Sequence, residues 1–116
     1  MKINLFCFSK NEKLKKKNDF KIVFKNGVEK YLKNYKIIFC ENNLSVSRIG
    51  IITTKKIGNS IKRNYEKRVI RESFRLYKNS FKKSYDVIVI PFKCNNVKFR
   101  KTEINNFFIK VMCNNE

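Results

Sequence analysis

Hydrophobic residues recur along this chain with two different periods, and the alternation between them lays out a fold. Phe20, Val23 and Phe24 follow the i, i+3, i+4 spacing of one helical face. Asn18 is placed to cap that helix, Asp19 to favour its first turn, and Gly27 to end it. Residues 35–40 (YKIIFC) then read as a strand, 41–46 as a polar loop, and 48–54 (RIGIITT) as a second, β-branched strand. Helical spacing returns from about residue 61 to 78, with Asn59 or Ser60 as its cap. Residues 85–90 (YDVIVI), stopped by Pro91, form a continuous apolar run of the kind found in a strand covered on both faces. In a last helix, from about residue 99 to 113, Ile104, Phe107, Phe108, Val111 and Met112 make one core stripe.

The order is helix, strands, helix, strand, helix: an α+β, single-domain α-β sandwich with helices laid on a sheet. A chain of 116 residues suits one compact domain, and neither a repeat nor a Pro- or Ser-rich linker divides it. Residues 1–17 read as a flexible arm, basic from residue 10 onward. That arm is either a solvated tail or a nucleic-acid contact.

Charge changes the picture most. Lys and Arg number 28 against 9 acids, a formal net charge of +19. Such an excess repels itself and is relieved by a polyanion, first a nucleic acid and second an anionic membrane. A Lys-, Asn-, Ile- and Phe-rich composition also fits a biased genome, so charge alone does not decide. The four cysteines, Cys7, Cys40, Cys94 and Cys113, form no C-x-x-C pair, and histidine is absent. No zinc site or other metal site is expected from them. Dispersed thiols point to a reducing, cytoplasmic setting. The apolar run in residues 1–8 is too short for the core of a signal peptide, and no later run reaches membrane-spanning length.

The informative stretch is residues 55–78, KKIGNSIKRNYEKRVIRESFRLYK. At 100° per residue, Asn64, Lys67, Arg68, Arg71, Arg75 and Lys78 fall within an arc of about 100°, with no acid among them. Ile61, Val69 and Leu76 form one apolar flank, and Ile70, Phe74 and Tyr77 another. The helix should therefore lie on the sheet and present a basic ridge roughly 21 Å long, at about 1.5 Å per residue. An ordinary solvated face mixes signs; this one does not. Guanidinium groups suit phosphate because each can bridge two oxygens or stack on a base.

These residues resemble the Arg-Asn-Arg signature region of the bacterial ribonuclease P protein family. Lys55, Lys56, Gly58, Asn59, Arg63, Asn64, Lys67, Arg68 and Arg71 meet the pattern in order. Tyr65 stands where the signature has its second Arg, which removes a phosphate contact but keeps a ring able to stack. The resemblance runs from about residue 13 to Pro91. It takes in Phe20 and Phe24 of the first helix, Arg48 and Gly50 of the strand before the motif, and YDVIVIP after it. It implies a four-stranded sandwich with a left-handed β-α-β crossover, the fourth strand falling within residues 28–33. It further implies binding of the catalytic ribonuclease P RNA through Lys55, Lys56, Asn59, Arg63, Asn64, Lys67, Arg68, Arg71 and Arg75. The 5′ leader of precursor tRNA would lie in a cleft containing Phe20, Phe24 and Arg48.

On that reading the RNA, with Mg2+, performs the hydrolysis. The protein alone binds no cofactor, carries no catalytic residue and is inactive, as well as monomeric when free. The absence of His and the scatter of the acids agree with this, since protein-only RNA cleavage needs general bases or metal-holding carboxylates. Phe20 and Phe24 remain open between core and cleft on pattern alone; the resemblance favours the cleft. A ribosomal or other structural RNA-binding protein is the alternative, distinguished by the residue 55–71 spacing. An independent nuclease and a membrane-active basic protein fit less well.

Overall fold

A computed structural model describes residues 12–92 and 100–113. Helix α1 (Lys17–Asn26) leads into a four-stranded sheet. Its strands are β1 (Val28–Tyr31), β2 (Tyr35–Glu41), β3 (Arg48–Ile51) and β4 (Tyr85–Pro91). Helix α2 (Ser60–Tyr77) connects β3 to β4, and α3 (Arg100–Phe107) continues as a π-helical stretch (Phe108–Cys113). The spatial order is β1-β2-β4-β3, with β3 and β4 parallel and the other pairs antiparallel. The expected sandwich and the fourth strand within residues 28–33 are both present, and β3-α2-β4 is the crossover unit.

The two faces of the sheet bury different sets of residues, as strand alternation requires. Tyr35, Ile37 and Phe39 of β2, Ile49 of β3, and Val87 and Val89 of β4 pack against α2 and α3. Phe74, Phe81, Phe107, Phe108 and Tyr85 add edge-to-face ring contacts there, at centroid distances of 5.7–6.2 Å, and Phe81 and Phe108 a tilted one at 5.5 Å. On the opposite face Ile38 and Ile88 are sealed by Val23 of α1 and by Leu14. The apolar run of β4 is thus covered on both faces, as expected.

Several boundaries differ from expectation, each for a physical reason. Asn18 does not cap α1. Lys16 occupies the cap position in extended geometry, with no side-chain cap bond. The Phe20 amide donates to Lys16 O at 3.2 Å, so the first turn closes ahead of Asn18. The chain enters this helix from a fixed point, because Lys13 bridges to Ile49 and the Leu14 amide donates to Ile49 O at 2.9 Å. The flexible arm expected over residues 1–17 is therefore held from Glu12 onward; residues 1–11 lie outside the described ones. Gly27 ends α1 in extended, not left-handed, conformation. What it supplies is space, since a Cβ there would come within 2.5 Å of Val23 O and 2.7 Å of Ile38 Cγ2.

The expected apolar flanks of α2 are also corrected. Val69, Ile70, Phe74, Ser73 and Glu66 form its buried face, whereas Ile61 and Leu76 are exposed, Ile61 at 76%. A wheel shows which residues share a side but not where the neighbours stand. Here the sheet and α3 together cover one side and leave the Ile61–Leu76 side out. Lys78 also leaves the ridge, since its Nζ pairs with Glu12 Oε2 at 2.5 Å in a largely buried contact. The stripe of the last helix is as expected, with Ile104, Phe107, Phe108 and Met112 buried and Val111 packed beside them.

Candidate nucleic-acid interface

The turn before α2 is built by three of the motif residues. Gly58 adopts φ +139, a region that side chains rarely enter. The Asn59 side chain then caps α2, accepting from the Lys62 amide at 3.0 Å. Arg63 donates from Nη1 to Gly58 O at 2.9 Å. Asn59 and Arg63, both expected at the RNA interface, thus have a structural duty in setting where α2 begins. Lys55, Lys56, Asn64, Arg68 and Arg71 are exposed, and Lys67 and Arg75 are partly exposed. These six cations and Asn64 form a basic surface, reaching from the turn along the outward side of α2.

Phe20 and Phe24 lie on one flank of α1 and Asp19 on the other, with the buried Val23 between them. Phe20 sits against Gly50. A Cβ at Gly50 would meet Phe20 Cε1 and Cζ at 2.7 Å and Leu14 Cβ at 3.2 Å, so only glycine leaves this part of β3 open to the ring. Phe24 is 44% exposed. Beyond them the same sheet face carries a row fixed by strand register. Tyr31 stands opposite Lys36 and Lys36 opposite Ile90. Ile52, just past β3, donates its amide to Val89 O at 3.1 Å and packs with Ile90 against the same cluster. Ile52 and Ile90 are only partly buried, and Tyr31 is open. The result is a shallow apolar cleft beside α1, ending in a cation: Lys36 Nζ stands 5.2 Å from the centre of the Tyr31 ring and 3.8 Å from Glu29 Oε1. Its hydrogen bond to Tyr31 and the Glu29 charge hold the Lys36 ammonium above its ordinary pKa.

Arg48 does not join this cleft. Its guanidinium grips Asp86 side-on, Nε to Oδ1 at 2.8 Å and Nη2 to Oδ2 at 2.6 Å, and reaches Asp19 with Nη1 at 3.4 Å. Asn42 Nδ2 completes the set, donating to Asp86 Oδ1 at 2.8 Å. These partners lie on the Asp19 flank of α1, away from the phenylalanines. Arg48 therefore anchors the start of α1 to β3 and β4. Its bonds to Asp86 raise its pKa above the ordinary value. Beside it the Cys40 thiol is pushed up, chiefly by burial and then by Asp86.

A cavity of about 160 Å³ joins the two expected surfaces. Lys13, Lys15, Phe20, Gly50, Lys67 and Arg71 all contribute to its walls. The arm runs along the outer edge of β3, between α1 and α2, and so places Lys13 and Lys15 between the cleft and the ridge. The same arm helps wall a second cavity of about 380 Å³ with Asp19, Arg48 and the loop 44–46. Lys13 and Lys15 belong to the basic arm read from sequence as either a solvated tail or a nucleic-acid contact; Lys36 and the Tyr31–Ile90–Ile52 row were not singled out. Register gives the row, and register follows only once β1 and the strand order are fixed.

The arrangement is an aromatic cleft flanked by lysines, continuous with a one-sign helical ridge. The family model for ribonuclease P matches residues 8–112. The chain belongs to the ribonuclease P protein family. A ribonuclease P protein component from Syntrophus aciditrophicus is 42% identical over 81 residues, covering 70% of this chain and 68% of its own. One from Petrotoga mobilis is 36% identical over 108 residues, covering 90% and 92%. Among solved structures, a Staphylococcus aureus RNase P protein mutant with defective mRNA degradation activity superposes with a TM-score of 0.73. It is 31% identical, and the match covers 84% of this chain and 81% of that one. The Thermotoga maritima RNase P protein gives 0.63 at 32% identity, covering 86% and 83%. Family membership makes this chain the RNA-binding protein component of a tRNA-processing endonuclease holoenzyme, with ribonuclease P RNA as its partner. No helix among the described residues is long and apolar enough to cross a membrane.

Proposed function

We propose that the chain divides its RNA contacts between two surfaces. Lys55, Lys56, Asn64, Lys67, Arg68, Arg71 and Arg75 hold the catalytic RNA through phosphate and ribose contacts. The cleft of Phe20 and Phe24, with Lys13 and Lys15 at its mouth, holds the single-stranded 5′ leader of precursor tRNA. The observation that carries this reading is the shared cavity in which Phe20 and Gly50 meet Lys67 and Arg71. A leader stacked in the cleft lies next to the surface that binds the RNA, so one small domain can align substrate with catalyst.

Hydrolysis belongs to the RNA and its Mg2+. Among the described residues no three Cys, Asp or Glu side chains gather into a group able to hold a metal. Asp19 and Asp86 are both bound to Arg48. The protein contributes positioning and charge neutralisation. It works in the cytoplasm, monomeric until it meets RNA. The test uses RNA-free chain with precursor tRNA and Mg2+, with and without ribonuclease P RNA. Correct 5′ cleavage is expected only when the RNA is present. Specific processing by the protein alone would overturn the reading.

A further inference from the structure

The outward side of α2 carries a feature that the ridge does not use. Tyr65 is 45% exposed and Ile61 76% exposed. They stand one turn apart, at i and i+4, so their side chains are neighbours on the helix surface. Arg68, three residues on from Tyr65, borders them and is exposed. This patch and the leader cleft lie on opposite sides of the ridge. Lys67 and Arg71 turn toward the cavity shared with Phe20. Tyr65 and Ile61 face the other way, on the side where Ser73 bonds to Asn105 of α3.

An exposed ring with an aliphatic neighbour one turn away and a guanidinium three residues on can serve as a stacking platform. The ring offers a flat face to a base, and the arginine takes the phosphate that comes with it. The ridge has already been read as the surface facing a polyanion, so a nucleotide is the occupant that matches both the apolar patch and the Arg68 guanidinium at its ridge side. Glu72, two turns beyond Tyr65 on the same side, marks where the patch ends. The leader is on the far side of the ridge. We propose that Tyr65, backed by Ile61, stacks on an unpaired nucleobase of the catalytic RNA. The contact replaces charge with stacking at a position where the family signature places an arginine. This inference rests on the proposed use of the ridge.

Stacking and phosphate neutralisation differ in how they respond to salt, which makes the two separable. A lost phosphate contact lowers the slope of log affinity against log salt by about 0.9 per contact on a duplex and about 0.7 on a single strand; a lost stack leaves the slope alone. The experiment measures binding of the full chain to the ribonuclease P RNA that copurifies with it, across a KCl series. Tyr65→Ala should weaken binding about 5- to 100-fold with an unchanged slope. Tyr65→Phe should stay within about twofold of the parent. Tyr65→Arg should bind well at low salt and show a steeper slope. Tyr65 is exposed and alanine favours helix, so thermal melts of the variants should match the parent.

Arg68→Ala, measured alongside, keeps the two readings apart. If Arg68→Ala weakens binding and Tyr65→Ala does not, the ridge stands and the stacking assignment is overturned. If neither weakens binding, the ridge itself is overturned. A Tyr65→Phe loss as large as that of Tyr65→Ala would assign the contact to the hydroxyl and also overturn stacking.

Discussion

The two faces of the sheet are finished to different degrees. One is roofed by α2 and α3, and its interior is a continuous set of aromatic and branched side chains from Tyr35 and Phe39 to Phe74 and Phe108. The other has a single short helix and one anchoring residue of the arm, Leu14, over Ile38 and Ile88. Beyond that helix, Ile52, Ile90 and Tyr31 stay partly or largely open. Closing the second face as tightly as the first would stabilise the domain and remove the cleft. The comparison therefore separates two uses of the same strands. Residues pointing one way hold the fold, and their neighbours pointing the other way are available to a ligand.

The strongest way to break that comparison is on the closed face. Phe74 is fully buried, with its ring centroid 5.7 Å from that of Phe81 and 6.1 Å from that of Phe108. Phe74→Ala should cost about 3–5 kcal/mol of stability, the usual loss for a core phenylalanine. That is a large part of the total for a domain of this size. Chemical denaturation should show it as a lowered midpoint. A midpoint close to the parent's would mean that the roofed face is not what holds the fold. Asp86→Ala comes next. It leaves the Arg48 guanidinium with Asp19 alone and loosens the start of α1. Arg48 keeps contact with solvent, so a loss of about 1–3 kcal/mol is expected, at the discounted end for a partly exposed pair. The same denaturation curves measure it.

How much of this could be read from the sequence follows the same division. Long elements with clear periodicity were legible: α2, β2, β4 and the stripe of the last helix. The ridge was legible because one sign of charge on a helix face is a local property. Strand β1 had almost no signal, since Val28, Glu29, Lys30 and Tyr31 are all exposed. They form a strand because the free edge of β2 accepts one. The partners of Arg48 and Lys78 were illegible for another reason. Asp86 and Glu12 lie far from them in sequence, and only the closed sheet brings the charges together. Ile61 and Leu76 looked like core because a helical wheel records apolar character without knowing where the neighbours stand. The cleft phenylalanines stayed undecided from pattern alone. Whether Phe20 is core or platform depends on Gly50, a residue with no side chain to announce the space it leaves.

On the open face, Phe20→Ala should weaken binding of precursor tRNA to the holoenzyme by about 1–3 kcal/mol, the value of one stacked base. Mature tRNA, which has no leader, should bind nearly as before. The variant's denaturation midpoint must be measured first, because part of the ring packs on Gly50 and Leu14 and its loss also costs stability. A folded Phe20→Ala chain that discriminates precursor from mature tRNA as well as the parent would remove the leader from this cleft. Arg71→Ala should weaken binding to the ribonuclease P RNA by a similar amount, about 1–3 kcal/mol for a charge-assisted contact. Lys30→Ala is the control, exposed on β1 at the far edge of the sheet from β3. Equal losses from the two would mean diffuse attraction to a basic protein instead of a defined ridge.

The smallest effect expected is also the one that measures how far the open face extends. Lys36 lies at the end of the cleft, across from Ile90 and over the Tyr31 ring. Its pKa is raised by the Tyr31 hydrogen bond and by Glu29, so the ammonium is charged at every pH up to the ordinary lysine value and somewhat beyond. A raised lysine loses its charge only as pH climbs through that higher value. Any contribution to leader binding is therefore constant from pH 6 to 9, and a pH profile over that range should be the same for Lys36→Ala and the parent. The difference should appear with salt instead. If the leader passes from Phe20 and Phe24 to the Tyr31 row, Lys36→Ala removes one phosphate contact from a single strand. The log–log salt slope for precursor tRNA should then flatten by about 0.7, with no change for mature tRNA. An unchanged slope would end the leader track at Ile90 and leave Lys36 as the local partner of Glu29 and Tyr31.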